Sequence, residues 1–214
     1  MAHHSTPDLL ALHGVRVLGG PSTTAIAERF RLSAHTVREH LLDAQAYGWV
    51  NRHEFFGETW SLTSAGKAEN ERQLSAELDA LAGRDIASAV HQAFLPLNRL
   101  HGEACTRWQL RPTPWDPMAK NDHTDLRWDD AVLSSLEEID RRLAEVLQPL
   151  AGLLARFASY PDLHHRAFGR VSAGDAAWLD SPAVESCQLV WIQLHEDLLA
   201  TLGIPRGGDA LPPE

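Results

Sequence analysis

The sequence predicts a mainly helical protein with one small β-hairpin, in which an N-terminal domain containing the hairpin precedes an all-helical domain. Apolar residues recur at helical spacing through most of the 214 residues, and two short strand-like runs flank Gly57. Acidic charge is concentrated after residue 70. We therefore expect domains at residues 1–70 and 71–206. Residues 207–214 are rich in glycine and proline and are expected to form a flexible tail.

The first predicted helix covers residues 8–19. Asp8 follows Pro7 and is a candidate N-cap, while Gly19-Gly20 is a signal of the kind that ends helices. Its predicted apolar face consists of Leu9, Leu12, Val15, Val17 and Leu18.

Two further short helices are predicted in the segment from residue 22 to residue 50. Ser22, Thr23 and Thr24 offer N-cap hydroxyls for the first of them and Ser33 is the candidate N-cap of the second, because a hydroxyl oxygen accepts a hydrogen bond from a free amide of the next turn. Arg31-Leu32 forms the turn between the helices, and Gly48 ends the second one. The second helix carries one apolar stripe at i, i+4 and i+7, formed by Val37, Leu41 and Ala44.

A β-hairpin is predicted next. Residues 49–56 are typical of a strand, Gly57-Glu58 can turn, and residues 59–63 are typical of a returning strand. Three helices followed by such a hairpin form a winged helix-turn-helix, in which the hairpin is the wing.

Two runs in this region resemble the winged-helix bacterial transcriptional regulators of the MarR-like type, over about residues 8–72. The runs are AIAERFRLSAHTVREHLLDAQAYGWVNR and WSLTSAGKAE. They contain a recognition-helix pattern at Leu32–Leu41, a GWV exit at Gly48–Val50 and an LTxxG step at Leu62–Gly66. The wing departs from the family pattern, because it is short and carries Glu54 and Glu58 where such regulators often present Arg or Lys.

The resemblance implies a homodimer that binds double-stranded DNA with a recognition helix at about residues 33–47 in the major groove. Arginine pairs bidentately with guanine, and cationic side chains bind phosphates. The alternative for these side chains is a solvated helix face. The candidate DNA contacts are Ser33, His35, Thr36, Arg38, Arg29, Arg31 and Arg52.

The net charge of −10 opposes DNA binding, because the phosphate backbone repels an acidic chain on average. The distribution of charge weakens this objection. Residues 1–70 hold six Lys and Arg against seven Asp and Glu, whereas residues 71–214 hold thirteen against twenty-two. We therefore expect DNA contact through a local patch, with modest affinity that falls as salt rises.

The rest of the chain predicts helices. Residues 66–100 are helical with an interruption at Gly83, and Pro96 ends or kinks the helix. By resemblance to the MarR-like proteins, this segment is the first candidate for a dimer interface. Residues 131–158 carry a seven-residue apolar repeat that favours the core of a helical bundle, with a kink at Pro149. A short helix is expected within residues 159–182, followed by a last helix at residues 183–202.

Residues 101–130 contain three prolines and a cluster of turn formers, which predicts a long ordered loop. Because three of the seven tryptophans lie in it, we expect the loop to pack against the helical domain. Tryptophans can line a pocket for an apolar or aromatic effector, and the alternative is ordinary packing. The candidate pocket residues are Trp108, Trp115, Trp128 and Trp191, with Trp178 as a further member.

A metal site is a further hypothesis for the C-terminal domain. His123, Asp125 and His195 have the side chains that zinc or iron prefers, although their spacing matches no metal motif. The alternative is turn capping by residues 121–125 and a partly buried His195.

Several classes of protein are excluded or disfavoured. No apolar run reaches 18 residues, which argues against a transmembrane helix, and the N-terminus lacks the pattern of a signal peptide. Cys105 and Cys187 form neither a disulfide framework nor a metal motif, so a reducing cytoplasm is the expected setting. Motifs for nucleophilic catalysis, phosphate binding and dinucleotide binding are missing, and we expect no cofactor.

The favoured hypothesis is a DNA-binding transcriptional regulator whose helical C-terminal domain supplies dimer contacts and senses a small-molecule effector. One alternative is a protein-interaction adaptor whose winged helix does not bind DNA, suggested by the acidity and the glutamates of the wing. The other is a metal-dependent enzyme that uses His123, Asp125 and His195. The sequence names neither the operator nor the effector.

Overall fold

A computed structural model of the chain describes residues 1–55 and 57–205. None of the helices in these two ranges is long and apolar enough to cross a membrane. The chain is mainly helical with one two-stranded antiparallel hairpin, as predicted. The elements in chain order are α1 (Pro7–Leu18), α2 (Thr23–Phe30), α3 (Ala34–Ala46), β1 (Val50–His53), β2 (Thr59–Leu62), α4 (Ser64–Ala80), α5 (Arg84–Gln109), α6 (Leu126–Leu153), a 3₁₀ turn (Ala155–Ser159), α7 (Tyr160–Ser172), α8 (Ala177–Asp180) and α9 (Cys187–Leu202).

The chain forms two compact units. The first contains residues 1–88, residues 151–156 and the described residues from 193 onward, and the second contains residues 89–150 and 157–192. The first unit therefore includes residues that the sequence placed in the C-terminal domain. The units are groups of residues that pack together, and they do not test the predicted domain boundaries, which stay predictions. The predicted tail at 207–214 lies outside the described residues.

The N-terminal three helices and the hairpin share one core in the first unit. The fully buried ring of Trp60 on β2 lies in this core with Ile26 of α2 and Val37 and Leu41 of α3. The strands pair from Val50 opposite Leu62 to His53 opposite Thr59. The apolar stripe predicted for α3 is confirmed, since Val37, Leu41 and Ala44 are all buried.

Local capping explains where these helices begin. The side-chain oxygen of Ser33 accepts from the amide of Thr36, which confirms the N-cap predicted for α3. Of the three hydroxyls offered for α2, Ser22 is the N-cap, because its oxygen accepts from the amide of Ala25. The N-cap predicted for α1, Asp8, is wrong, because Thr6 occupies the N-cap position and Asp8 lies in the first turn. Pro7 is accepted there because the first helical residue needs no amide hydrogen for the helix.

The start of α4 lies close to the backbone of Trp49, directly before the hairpin. Thr63 caps α4 by accepting from the amide of Gly66. A Cβ atom added at Gly66 would lie 1.9 Å from the carbonyl oxygen of Trp49, so only glycine fits at this position. The predicted interruption at Gly83 is also confirmed, because α4 ends at Ala80 and α5 begins at Arg84.

The prediction of a long loop over residues 101–130 is wrong at both ends. Helix α5 runs through Pro96 to Gln109, and α6 already begins at Leu126, so the loop covers residues 110–125. Pro96 therefore does not end α5. Its ring is exposed, while Phe94 and Leu97 on either side are fully buried, and this packing outweighs the lost backbone hydrogen bond.

The second unit is built from α7, α8 and most of α5 and α6. The seven-residue repeat of α6 is buried as expected of bundle core at Val132, Leu136, Ile139 and Leu143. Further along, the repeat includes Val146 and Leu153, but these are half-buried and the neighbouring Leu147 and Leu154 are fully buried instead. Helix α6 passes through Pro149 and ends at Leu153, where a 3₁₀ turn replaces the helical structure predicted up to residue 158. The last helix begins at Cys187, four residues later than predicted.

Candidate nucleic-acid interface

The N-terminal end of α3 is the best-exposed capped helix end in the predicted DNA-contacting region. Ser33 and His35 are exposed, and Thr36 is half-buried. The oxygen of Ser33 accepts from the amide of Thr36 at 2.9 Å, and the two hydroxyls lie 2.7 Å apart. A helix N-terminus carries partial positive charge, which favours contact with anions such as phosphate.

The opposite side of α3 holds the helix in place. Val37 and Leu41 are fully buried against the core that surrounds Trp60. The helix therefore has one fixed polar face. At the N-terminal end of α3 this face carries His35, Arg38 and Glu39.

Arg38 and Arg52 meet at one carboxylate of the hairpin. Oε1 of Glu58 accepts from Nη1 of Arg38 at 2.7 Å and lies 3.0 Å from Nη2 of Arg52. Arg52 also pairs with Glu54 at 2.9 Å. We call Glu58, Arg38, Arg52 and Thr23 the Glu58 cluster.

The carboxylate of Glu58 is also held by Thr23, a buried residue of α2. The Thr23 hydroxyl donates to Oε2 of Glu58 at 2.7 Å and accepts from the indole nitrogen of Trp60 at 3.0 Å. The hydrogen bond from Thr23, together with the charges of Arg38 and Arg52, holds the pKa of Glu58 below its ordinary value, although partial burial opposes this shift. Glu58 is therefore an oriented anion that connects the protein core to two arginines at the surface.

The other two predicted arginines lie outside this cluster. Arg29 is half-buried, with its guanidinium 5.9 Å from the ring centroid of Phe30. Arg31 is exposed in the turn between α2 and α3, where its φ of 55° places it in the left-handed region. Arg31 and the N-terminus of α3 thus contribute positive charge on the same connection.

The sequence predicted Arg38 and Arg52 as DNA contacts but did not indicate Thr23 as part of the site. It noted Glu58 only as an acidic residue of the hairpin. The signal available in the sequence was the position of Glu58 directly before the returning strand, which contains Trp60. Pairing of Arg52 with Trp60 in the hairpin register places Glu58 two residues from that point.

The predicted tryptophan pocket is not formed as proposed. A cavity of about 570 Å³ in the second unit is lined by Trp108, with Asn121, His123 and Asp180 among its polar residues. Trp115 is almost fully exposed, and the indole of Trp128 donates to the carbonyl of Arg107. Trp191 is buried and donates to Asn98. Of the four proposed tryptophans, only Trp108 lines this cavity.

The structure gives the metal hypothesis no support. His123 pairs with Asp129 at 3.0 Å, and Asp125 pairs with Arg111 at 2.6 Å. Both residues belong to the second unit, whereas His195 belongs to the first. Across residues 1–55 and 57–205, no group of three or more His, Cys, Asp and Glu side chains is arranged to hold a metal ion.

Comparison of the chain with protein-family models, curated proteins and solved structures found no match. We therefore infer function from the geometry of the site and from the resemblance over residues 8–72.

Proposed function

We propose that this protein is a DNA-binding transcriptional regulator whose N-terminal helices and hairpin act as a winged helix-turn-helix. The observation that carries the proposal is the geometry of α3. Its N-terminus is capped by Ser33 and exposed, its opposite face is buried, and Arg38 and Arg52 lie together beside it. The major groove of B-DNA is wide enough to admit such a helix.

In this proposal, α3 is the recognition helix. His35 and Arg38 face the base edges, and the hydroxyls of Ser33 and Thr36 bind the backbone phosphates. Arg29 and Arg31 supply the remaining phosphate contacts, and Arg52 is a further DNA contact beside Arg38. Phosphate contacts position a protein on DNA, whereas contacts with base edges provide sequence specificity.

A homodimer is part of the proposal. Two recognition helices related by a two-fold axis read half-sites spaced by about 34–36 Å, one turn of DNA. The segment of α4 and α5 is the proposed source of dimer contacts, through the MarR-like resemblance. The cavity beside Trp108 is the proposed place for an effector, because its volume lies within the range of small-molecule sites.

A second candidate function is a protein-interaction adaptor that does not bind DNA. One observation favours it, since the charges of Arg38 and Arg52 are both engaged by Glu58. The acidic net charge of −10 acts in the same direction. This alternative predicts no salt-dependent DNA binding even at low ionic strength.

The test is binding to DNA from the region upstream of the protein's own gene, measured by fluorescence anisotropy at roughly 50 and 200 mM salt with competitor DNA. We expect specific binding that weakens as salt rises. Replacing Arg38 with Ala should reduce specific affinity by roughly ten- to a hundredfold, the worth of one bidentate base contact. Arg72→Ala is the matched control, because it removes the same charge from an exposed ion pair on α4. A wild-type protein that binds no DNA at either salt concentration contradicts the proposal.

A further inference from the structure

We propose that Glu58 is a specificity-determining residue, which restrains Arg38 and Arg52 so that they contact base edges in preference to phosphates. This inference rests on the proposed function, because it assigns a role within the same interface. It starts from the Glu58 cluster, where one carboxylate engages both arginines.

The carboxylate is held independently of the arginines. Thr23 lies on α2 and is buried, and its hydroxyl bridges Oε2 of Glu58 to the indole of the fully buried Trp60. Glu58 is therefore held at the edge of the core of the first unit, where Arg38 and Arg52 meet it. Both arginines have longer side chains than Glu58, and those side chains are 42% and 28% exposed against 23% for Glu58.

The chemistry of arginine explains how this restraint discriminates between ligands. A guanidinium has five N–H donors, and Arg38 uses one nitrogen, Nη1, to reach Glu58. The donors that remain can reach the neutral N7 and O6 acceptors of guanine while the ion pair persists. A phosphate brought to the same guanidinium meets the negative charge of Glu58 at close range and is repelled.

The restraint by Glu58 also changes the affinity for DNA of any sequence. Non-specific affinity depends on how many phosphates the cationic side chains neutralise. While Glu58 engages Arg38 and Arg52, these two residues contribute little to that number. Glu58 thus lowers affinity for non-specific DNA and leaves base contacts available, which increases the ratio of specific to non-specific affinity.

The experiment compares Glu58→Gln with the wild type. Glutamine has the same shape, and its amide oxygen can still accept from Thr23, but the charge is lost. Glu54→Gln is the matched control, because it removes the same charge from the same hairpin at a more exposed residue that pairs with Arg52 alone. Circular dichroism checks that all the variants are folded.

The first readout is anisotropy with a duplex of scrambled sequence and with the upstream fragment. We expect Glu58→Gln to bind the scrambled duplex roughly tenfold more tightly at about 50 mM salt, because one or two phosphate contacts are gained. The slope of log affinity against log salt should steepen by about one to two. The ratio of specific to non-specific affinity should fall, and Glu54→Gln should stay within about twofold of the wild type, because an exposed charge is screened.

The second readout is the salt concentration at which each protein elutes from immobilised heparin, a polyanion without bases. Later elution of Glu58→Gln than of Glu54→Gln supports the restraint on the arginines even when no duplex is bound, and in that case the regulator proposal fails together with the preference for base edges. Equal elution of Glu58→Gln and the wild type, or an unchanged salt slope, overturns the restraint. Glu58→Asp keeps the charge but withdraws it by one methylene group, and it should give a smaller shift in the same direction if Glu58→Gln does not fold.

Discussion

Two arginine–carboxylate clusters in the first unit use the same chemistry at very different depths. In the Glu58 cluster, the side chain of Arg38 is 42% exposed and that of Glu58 is 23% exposed. In the second cluster, Arg156 is 1% exposed and pairs with Asp197 at 3.3 Å and with Glu77. Exposure therefore decides whether a ligand outside the protein can reach the arginine of such a cluster.

The buried pair has further partners within the first unit. Arg156 donates to the hydroxyl of Ser5 at 2.9 Å and to that of Thr201 at 3.0 Å. Asp197 also lies 3.0 Å from the ring of His13. These side chains are buried, so we assign this cluster to the architecture, whereas the Glu58 cluster is exposed enough for the proposed binding.

The largest effect is expected when the buried cluster loses its cation. Arg156→Met keeps much of the side-chain volume but leaves Asp197 and Glu77 as buried carboxylates without their guanidinium. Removing one partner of a buried ion pair costs about 3–5 kcal/mol of unfolding free energy. Urea unfolding at neutral pH measures this loss.

The control for this prediction is Arg72→Met. Arg72 is 66% exposed and pairs with Glu69 one helical turn away, so its loss should cost only a small fraction of the change at Arg156. Equal losses for the two variants would show that burial does not separate the two kinds of ion pair.

A smaller effect is expected at Thr23, where the Glu58 cluster enters the core. Thr23→Val keeps the shape but removes the hydroxyl, which leaves the indole N–H of Trp60 buried without its acceptor. An unsatisfied buried donor costs about 1–3 kcal/mol. Thr24→Val, at the exposed neighbouring position, is the control and should change the urea midpoint far less. A Thr23→Val protein as stable as the wild type would show that the hydroxyl of Thr23 contributes nothing to stability as the acceptor for Trp60.

The elements of the first unit were largely predictable because their determinants are local. Periodic apolar residues at Val37, Leu41 and Ala44 specify which face of α3 is buried, and serine caps specify where α2 and α3 begin. Local signals failed at Pro96, where buried neighbours keep a helix intact through a residue that usually ends one.

The Glu58 cluster could be predicted only in part. Arg38 and Arg52 were evident from their positions on α3 and β1. The ion pair between Arg38 and Glu58 joins residues 20 positions apart, and it depends on a hairpin register that sequence spacing does not specify. The buried pair of Arg156 and Asp197 joins residues 41 positions apart, so no local sequence pattern predicts it.

The smallest expected effect is the pH dependence of the Glu58 cluster. The hydrogen bond from Thr23 and the charges of Arg38 and Arg52 lower the pKa of Glu58 in the folded protein. A carboxylate with a lowered pKa stabilises the fold above its ordinary value of 4.5, and this contribution is lost as pH falls through the folded value. The stability difference between wild type and Glu58→Gln should therefore be constant above about pH 5 and shrink below 4.5. We expect it to stay below about 1 kcal/mol, because the cluster is partly exposed to water.

Urea unfolding of both proteins at several pH values tests this prediction. A difference that grows as the pH falls would mean that the proton binds more weakly to unfolded Glu58 than to folded Glu58, which is the opposite of the assigned direction. A difference of several kcal/mol at neutral pH would place Glu58 among the buried ion pairs beside Arg156. A cluster of that strength would hold the hairpin together, and Glu58→Gln would then change DNA binding by disturbing the fold and not by releasing two restrained arginines.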